Sequence, residues 1–421
     1  LARVHFVIAL QGGVPEDFDA DDTERAIIRA VRSWNDLLLE ALIERHGESE
    51  GKRLNGRYGR GFGASYRDEV SVATAAADIA KLETVSADTP LALHFYRRLE
   101  DDETAVRFKI YHHGGPVPLS EALPVLEHMG FRVLHENPYR VELGETDIVI
   151  HDFYMHSEAG VEVDLAGLRA SLEEAFAAAW NRMVDDDPLN RLVLVAGLTV
   201  RETALLRAYS RFLRQARLPF SIDYMEDALA DNPGMARKLV DLFATRFDPD
   251  RGGSAQERLA AADAISDEIE AMLEDVPVLD IDQILRRFRN AIAATLRTNY
   301  YQTDGAGRPK AYMSFKFDSG LLDDLPLPRP WREIFVHATW VEGVHLRGGP
   351  VARGGLRWSD RKEDYRTEIL GLVKAQQVKN AVIVPVGSKG GFLPKKLPQG
   401  GTREEVQAEA IRAYKTFLSG L

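Results

Sequence analysis

Residues 348–391 read GGPVARGGLRWSDRKEDYRTEILGLVKAQQVKNAVIVPVGSKGG, and the succession of textures inside them decides the fold class. Arg353 opens a glycine turn with Gly354 and Gly355. Asp360 and Glu363 are spaced as a capping box, and Tyr365, Ile369, Leu372, Val373 and Gln376 then recur on one face of a predicted helix. Residues 381–386 are apolar at every position, the pattern of a strand covered on both faces of a parallel sheet. Turn, helix and buried strand in that order predict an open α/β sheet, in which ligands sit beyond the carboxyl ends of strands.

Lys389 is predicted to lie just past such a strand, between Gly387 and the pair Gly390-Gly391. Glycines there permit unusual backbone angles and leave no side chain to hold a ligand away. With Lys379 before the strand and Arg353 in its own turn, three cations fall within 37 residues. Converged, they would form a pocket suited to a dicarboxylate; dispersed, each is a surface cation beside a turn.

The chain outside this segment reads as several modules. Residues 3–10 predict a strand, and Asp22 precedes a helix of about twenty residues through Ile27, Val31, Trp34, Leu38 and Leu42. Residues 51–63 (GKRLNGRYGRGFG) are aperiodic and glycine-rich, without a Walker pattern, and predict a flexible connection. From 91 to 155 the spacing predicts strands at 91–99, 106–111, 131–136 and 147–155, a helix capped by Ser120 and ended by Gly130, and a further helix from Leu165. That order is a split βαβ, ferredoxin-like unit. Residues 165–300 predict helices throughout, with Thr199 and Glu202 as a capping box, Asn232-Pro233 as a start and Asp280 as another. Residues 310–318 alternate as a strand, and the prolines of 325–330 suggest a boundary. The organisation expected is therefore 1–90 as an α/β segment, 91–164 as the ferredoxin-like unit, 165–305 as helical scaffold and 306–421 as the start of an open-sheet domain.

Composition narrows the function classes. The 421 residues carry a net charge of −12, yet 329–421 alone carry +7, leaving −19 for the rest. An acidic body argues against nucleic-acid binding, whereas a locally basic segment suits a small anion. There is no Cys, which removes disulfides, thiolate nucleophiles and Cys-based metal sites and accords with a cytoplasmic setting. No apolar run reaches the length of a membrane span, and the eleven His form no ligand pattern with carboxylates, so no membrane and no metal are expected. His337 and His345 read as satisfied strand residues. A pyridoxal enzyme built on Lys389 lacks a phosphate cup.

Residues 352–358, 363–379 and 381–392 resemble the substrate-binding segment of glutamate dehydrogenases, above all the large bacterial NAD-specific type. Hexameric members carry Lys-Gly-Gly-Leu/Ile-Arg, then a lysine at a helix end, then Gly-Gly-Ala-Lys-Gly-Gly. The resemblance is specific over 345–396 and looser over 1–330, which is similar to that family's ACT-like regulatory and helical units. It implies that Lys389 is the catalytic lysine, and that Arg353 and Lys379 bind substrate carboxylates with Gly354, Gly355, Gly390 and Gly391 around them. Arg353 stands where relatives have lysine, and Lys379 lies two residues late, so Gln377 and Lys374 remain alternatives for the second carboxylate. The implied reaction is NAD-dependent deamination of L-glutamate to 2-oxoglutarate and ammonia. Such a proton shuttle needs a lysine, ordinarily near ~10.4, in surroundings that favour its neutral form. The likeness also implies a homo-oligomer and amino-acid effectors. No Gly-x-Gly-x-x-Gly occurs after residue 391, so NAD is expected to be bound outside these residues, which alone are expected to be inactive. The alternative is a non-catalytic, ACT-like amino-acid sensor using the loop His112–Pro116.

Overall fold

The computed structural model describes residues 19–144, 146–380 and 386–421, apart from the side chains of 28–31, 146 and 377–380. The strand expected at 3–10 and, except for Val386, the one at 381–386 lie outside the described residues.

The described chain opens with helices α1 (Ala20–Val31), α2 (Trp34–His46), α3 (Glu48–Tyr58), α4 (Ala64–Glu69) and α5 (Val72–Leu82). The single long helix expected from Asp22 is two: Ser33 takes extended backbone angles and forms a capping box with Asp36, starting α2 afresh. The glycine-rich stretch 51–63 is largely α3 rather than a flexible connection. Its Gly51 is a packing residue, because a Cβ there would stand 2.7 Å from the Ile43 backbone of α2. Leu38, Leu42, Leu54, Tyr58 and Tyr66 bury the inner faces of these helices against Tyr111, Tyr139, Val141 and Ile150.

Next come β1 (Leu91–Tyr96), β2 (Ala105–His113), α6 (Leu119–His128), β3 (Phe131–Leu143) and β4 (Thr146–Ser157). The sheet order is β1-β2-β4-β3, so β4 separates β2 from β3 and the crossover through α6 is split, as in ferredoxin-like units. Pro118, not Ser120, is the N-cap of α6, with no side-chain cap bond; Gly130, at φ +86°, ends the helix as read.

Helices α7 (Leu165–Trp180), α8 (Leu192–Val195), α9 (Val200–Gln215), α10 (Ile222–Ala230), α11 (Pro233–Phe247), α12 (Ala255–Leu273) and α13 (Leu279–Ala294) follow. Thr199 and Glu202 form the expected capping box of α9, whereas α13 starts after Val278 instead of Asp280. Strands β5 (Thr295–Thr298), β6 (Met313–Phe317), β7 (Arg332–Ala338), β8 (Val341–Arg347), β9 (Leu356–Trp358) and β10 (Ser388–Pro394) then form one sheet in the order β5-β6-β7-β8-β10-β9, with α14 (Tyr365–Asn380) between β9 and β10 and α15 (Arg403–Gly420) last.

This sheet is mixed. Neighbours from β5 to β10 run antiparallel, and β9 pairs parallel with β10 because a helix connects them. One face buries Phe315, Phe317 and Phe335 beneath the helices, with the Phe212 ring of α9 stacked 4.1 Å from Phe317. The other buries Ile334, Val336 and Phe392 against Ala413 and Phe417 of α15. The capping box expected at Asp360 and Glu363 does not form: Asp364 pairs with Arg361, and α14 begins at Tyr365.

Two compact units result, one from residues up to His94 with Phe108–Val117 and Glu136–Phe153, the other from Phe95–Arg107, Pro118–His135 and Tyr154–Leu421. No helix among the described residues is long and apolar enough to cross a membrane.

Candidate active site

Lys389 is the second residue of β10. Glycine-rich sequence reads as a turn, but here the glycines admit neighbouring elements. A Cβ on Gly391 would run into Ile369 of α14, and one on Gly390 into Leu356 and His345. One on Gly354 would run into the Ser388 carbonyl. At Gly355, by contrast, nothing lies within 4 Å of the Cβ position.

The register fixes which side chains share a face. Gly390 pairs with Leu356, Gly391 with Arg357 and Phe392 with Trp358, and a bridge joins Arg353 to Gly387 at the same offset. Ser388 N–H donates to the Arg353 carbonyl and Gly390 N–H to the Gly355 carbonyl, each at 3.1 Å. The ladder itself is Leu356–Trp358 along 390–392, and Arg353 meets Gly387 at an isolated bridge before it. Paired residues in a ladder share a face, as do residues two apart. Arg353 and Lys389 therefore stand on one face, diagonal to each other, with Gly387 and Gly355 filling the other two corners. That face is covered by α14, since the Cβ directions of Gly387 and Gly391 meet Gln376 and Ile369.

Arg353 is exposed and Lys389 half-buried, and neither side chain has a hydrogen bond or ion pair among the described residues. The side chains of Lys379 and Gln377 lie outside the described residues, although both positions belong to α14. Lys374 is exposed on the same helix. The structure thus puts the backbones of Arg353 and Lys389 on neighbouring segments.

Helix α14 is held in place by buried charge. Arg366 reaches Glu333 of β7 through two bonds of 2.8 and 3.1 Å, both side chains essentially inaccessible. Gln376 then ties the helix to the edge: its Nε2 donates 2.9 Å to the Arg353 carbonyl, while its buried Oε1 has no partner among the described residues. Sequence reading counted Gln376 only as part of an apolar face. Its polar head at the last core position was the available signal.

A second polar cluster lies under the far end of β10. Lys395 Nζ lies 3.0 Å from Asp185 and 3.2 Å from Glu342. His337 faces both acids at 3.7–3.8 Å, together with Lys395 and Arg211. Burial, reinforced by the Lys395 charge, pushes the His337 imidazole down to about 4. His337 and His345 do lie in strands, but His337 Nε2 and His345 Nδ1 lack partners among the described residues, so neither is fully satisfied. No group of His, Asp and Glu suited to a metal occurs among the described residues.

Residues 268–421 match the family described as bacterial NAD-glutamate dehydrogenase, catalytic domain. Residues 184–249, 90–168 and 41–85 match glutamate dehydrogenase helical motif 3, ACT3 domain and helical motif 2. Proteins named NAD-specific glutamate dehydrogenase from Halomonas elongata and Pseudomonas aeruginosa are 45% and 47% identical over all of this chain, which spans 26% of each. One from Mycobacterium tuberculosis is 40% identical, again over the whole chain, with 27% of its own length covered. The chain is similar to bacterial NAD-specific glutamate dehydrogenases along its whole length. It spans about a quarter of the length of these relatives.

Within the segment that matches the ACT3 domain, the loop His112–Pro116 is held by the protein itself. His112 Nδ1 lies 2.8 Å from the Gly115 carbonyl, and Val117 N–H donates 2.9 Å to His151 Nε2. His151 Nδ1 is then the donor to Glu136, at 2.7 Å.

Proposed function

We propose that this chain supplies the substrate-binding edge of an NAD-dependent glutamate dehydrogenase acting in the cytoplasm, converting L-glutamate, water and NAD⁺ to 2-oxoglutarate, ammonia and NADH. The observation that supports the reading is the ladder of 356–358 with 390–392 together with the Arg353–Gly387 bridge at the same offset, which puts the Arg353 and Lys389 positions on neighbouring segments.

Arg353 offers a planar fork of N–H donors to a carboxylate, a charge-assisted pairing stronger than a neutral one. Lys389, in its neutral form, takes the proton released as the amine becomes an imine and water adds to carbon. The bare corner at Gly355 leaves room for the carbon skeleton between them. Lys379 is proposed for the second carboxylate, with Gln377 and Lys374 as alternatives.

NAD supplies the hydride acceptor when bound. The described parallel β-α-β unit, β9–α14–β10, does not fit it: the turn after β9 runs Ser359–Asp364 without the glycines that let a backbone cradle a pyrophosphate. No step through the dinucleotide is therefore derived from these residues.

The test is made in the full-length protein that contains them. Lys389→Met is expected to lower kcat by a factor on the order of 10²–10⁴. Arg353→Ala is expected chiefly to raise KM for glutamate. Wild-type rates in both variants would sink the reading.

A further inference from the structure

A cleft of about 420 Å³ opens where the first turn of α9 and the side of α11 meet the loop that follows β5. Its walls include Arg201, Phe243, Tyr300, Tyr301, Thr303 and Arg251. Volumes of about 300–1,000 Å³ with aromatic walls and a few fixed polar groups are those of small-molecule sites.

One cation inside is left without an ion pair among the described residues. Arg201 lies in the first turn of α9, where the positive end of the helix dipole disfavours a cation. It is partly buried, and burial pushes its pKa down with no carboxylate to restore it. It has no ion pair among the described residues. Its guanidinium instead donates to the Tyr300 and Lys310 carbonyls and lies 4.5 Å from the Tyr300 ring centre. Two of its five N–H donors are thereby used, leaving three in a planar fork.

The charged residues that line the cleft balance formally, Arg201 and Arg251 against Glu202 and Asp248. Glu202 is occupied by its capping box with Thr199 and by Arg237 at 3.3 Å. Asp248 and Arg251 both act on Tyr301 with opposite sign. An unpaired guanidinium in the first turn of a helix, beside the half-buried Tyr301 ring, breaks a local rule that an anion would satisfy.

We infer that this cleft binds a small anion carrying a planar ring, its acid group on Arg201 and its ring against Tyr301. The ligand would join α9 and α11 to the loop leaving the edge strand of the six-stranded sheet. This places an effector site apart from Arg353 and Lys389, and the inference stands independently of the dehydrogenase reading.

The experiment titrates the 421-residue protein with adenosine 5′-monophosphate, benzoate and inorganic phosphate by isothermal titration calorimetry. One or both ring-bearing anions are expected to bind with one-to-one stoichiometry, and phosphate alone at least tenfold more weakly. Arg201→Gln and, separately, Tyr301→Ala should each weaken ring-anion binding about tenfold or more, while Lys415→Gln on the exposed side of α15 should leave it unchanged. Circular dichroism verifies that each variant is folded; if Arg201→Gln is not, Tyr301→Ala decides. Failure of both ring anions to bind, undiminished binding in the folded variants, or equal affinity for phosphate would overturn the inference.

Discussion

The two sheets treat polar groups in opposite ways. Beneath the four-stranded sheet, Asp78 is almost wholly buried, and each of its oxygens is engaged: Oδ2 accepts from Tyr66 and Lys109 at 2.6 Å, and Oδ1 from Tyr111 at 2.7 Å. Along the edge of the six-stranded sheet, Arg353 and Lys389 stand without protein partners among the described residues, and Gln376 keeps a buried oxygen unpaired. A buried charge satisfied by its own chain is scaffold. A charge left open beside glycines leaves its compensation to something that arrives later.

Breaking the scaffold side should cost most. Asp78→Ala strands the Lys109 ammonium and two phenols in the interior, an expected loss of about 3–5 kcal/mol measured by urea unfolding. The double variant Asp78→Leu/Lys109→Met should recover most of that loss; if it does not, shape rather than charge dominates there.

A smaller effect separates the buried ionisable groups of the second sheet from that satisfied cluster. His337 titrates near 4 in the fold against about 6.5 unfolded, so between these values the unfolded chain holds the extra proton. Stability should rise by about 3 kcal/mol as pH climbs from 4 to 6.5, and His337→Gln should flatten that rise. Glu226 acts in the opposite direction. Burial, with Asp187 adding to it, pushes its carboxyl up to about 8. Its penalty therefore grows from pH 4.5 to 8, and Glu226→Gln should remove that decline while leaving the acid side unchanged.

Smaller again is the contrast between adjacent glycines. Gly354→Ala must push the edge strand off Ser388 and should cost about 1–3 kcal/mol, whereas Gly355→Ala faces open space and should change stability by less than about 0.5 kcal/mol. In the full-length protein Gly355→Ala should nonetheless raise KM for glutamate; an unchanged KM would mean that the open corner is not used. At the small end, Ser33→Ala removes the cap that restarts α2 and should cost about 1 kcal/mol by the same unfolding measurement.

What the sequence revealed followed from local rules. The capping box at Thr199 and Glu202, the Gly130 stop and the split β-α-β order depend on neighbours within a few residues, and the chain displays them openly. The misreadings came from contacts distant in sequence. Gly51 looked like a flexible link because the need for it lies on α2, at Ile43. The Ser388–Gly391 run looked like a turn because the reasons for its glycines, Ile369 and His345, belong to α14 and β8. Asp360 and Glu363 had capping spacing, but Arg361 took Asp364 and moved the helix start. Arg353 and Lys389 were legible as candidates from composition and resemblance; their shared face follows only from the register.

That register has an evolutionary corollary. Because main-chain bonds fasten the ends of this segment side by side, residues inserted into or deleted from the excursion between Trp358 and Gly387 would alter its contour without respacing the guanidinium and the amine. Changes of length there spare the spacing of the two cations but not Gln376, Lys374 and Lys379, which ride on the helix inside the excursion.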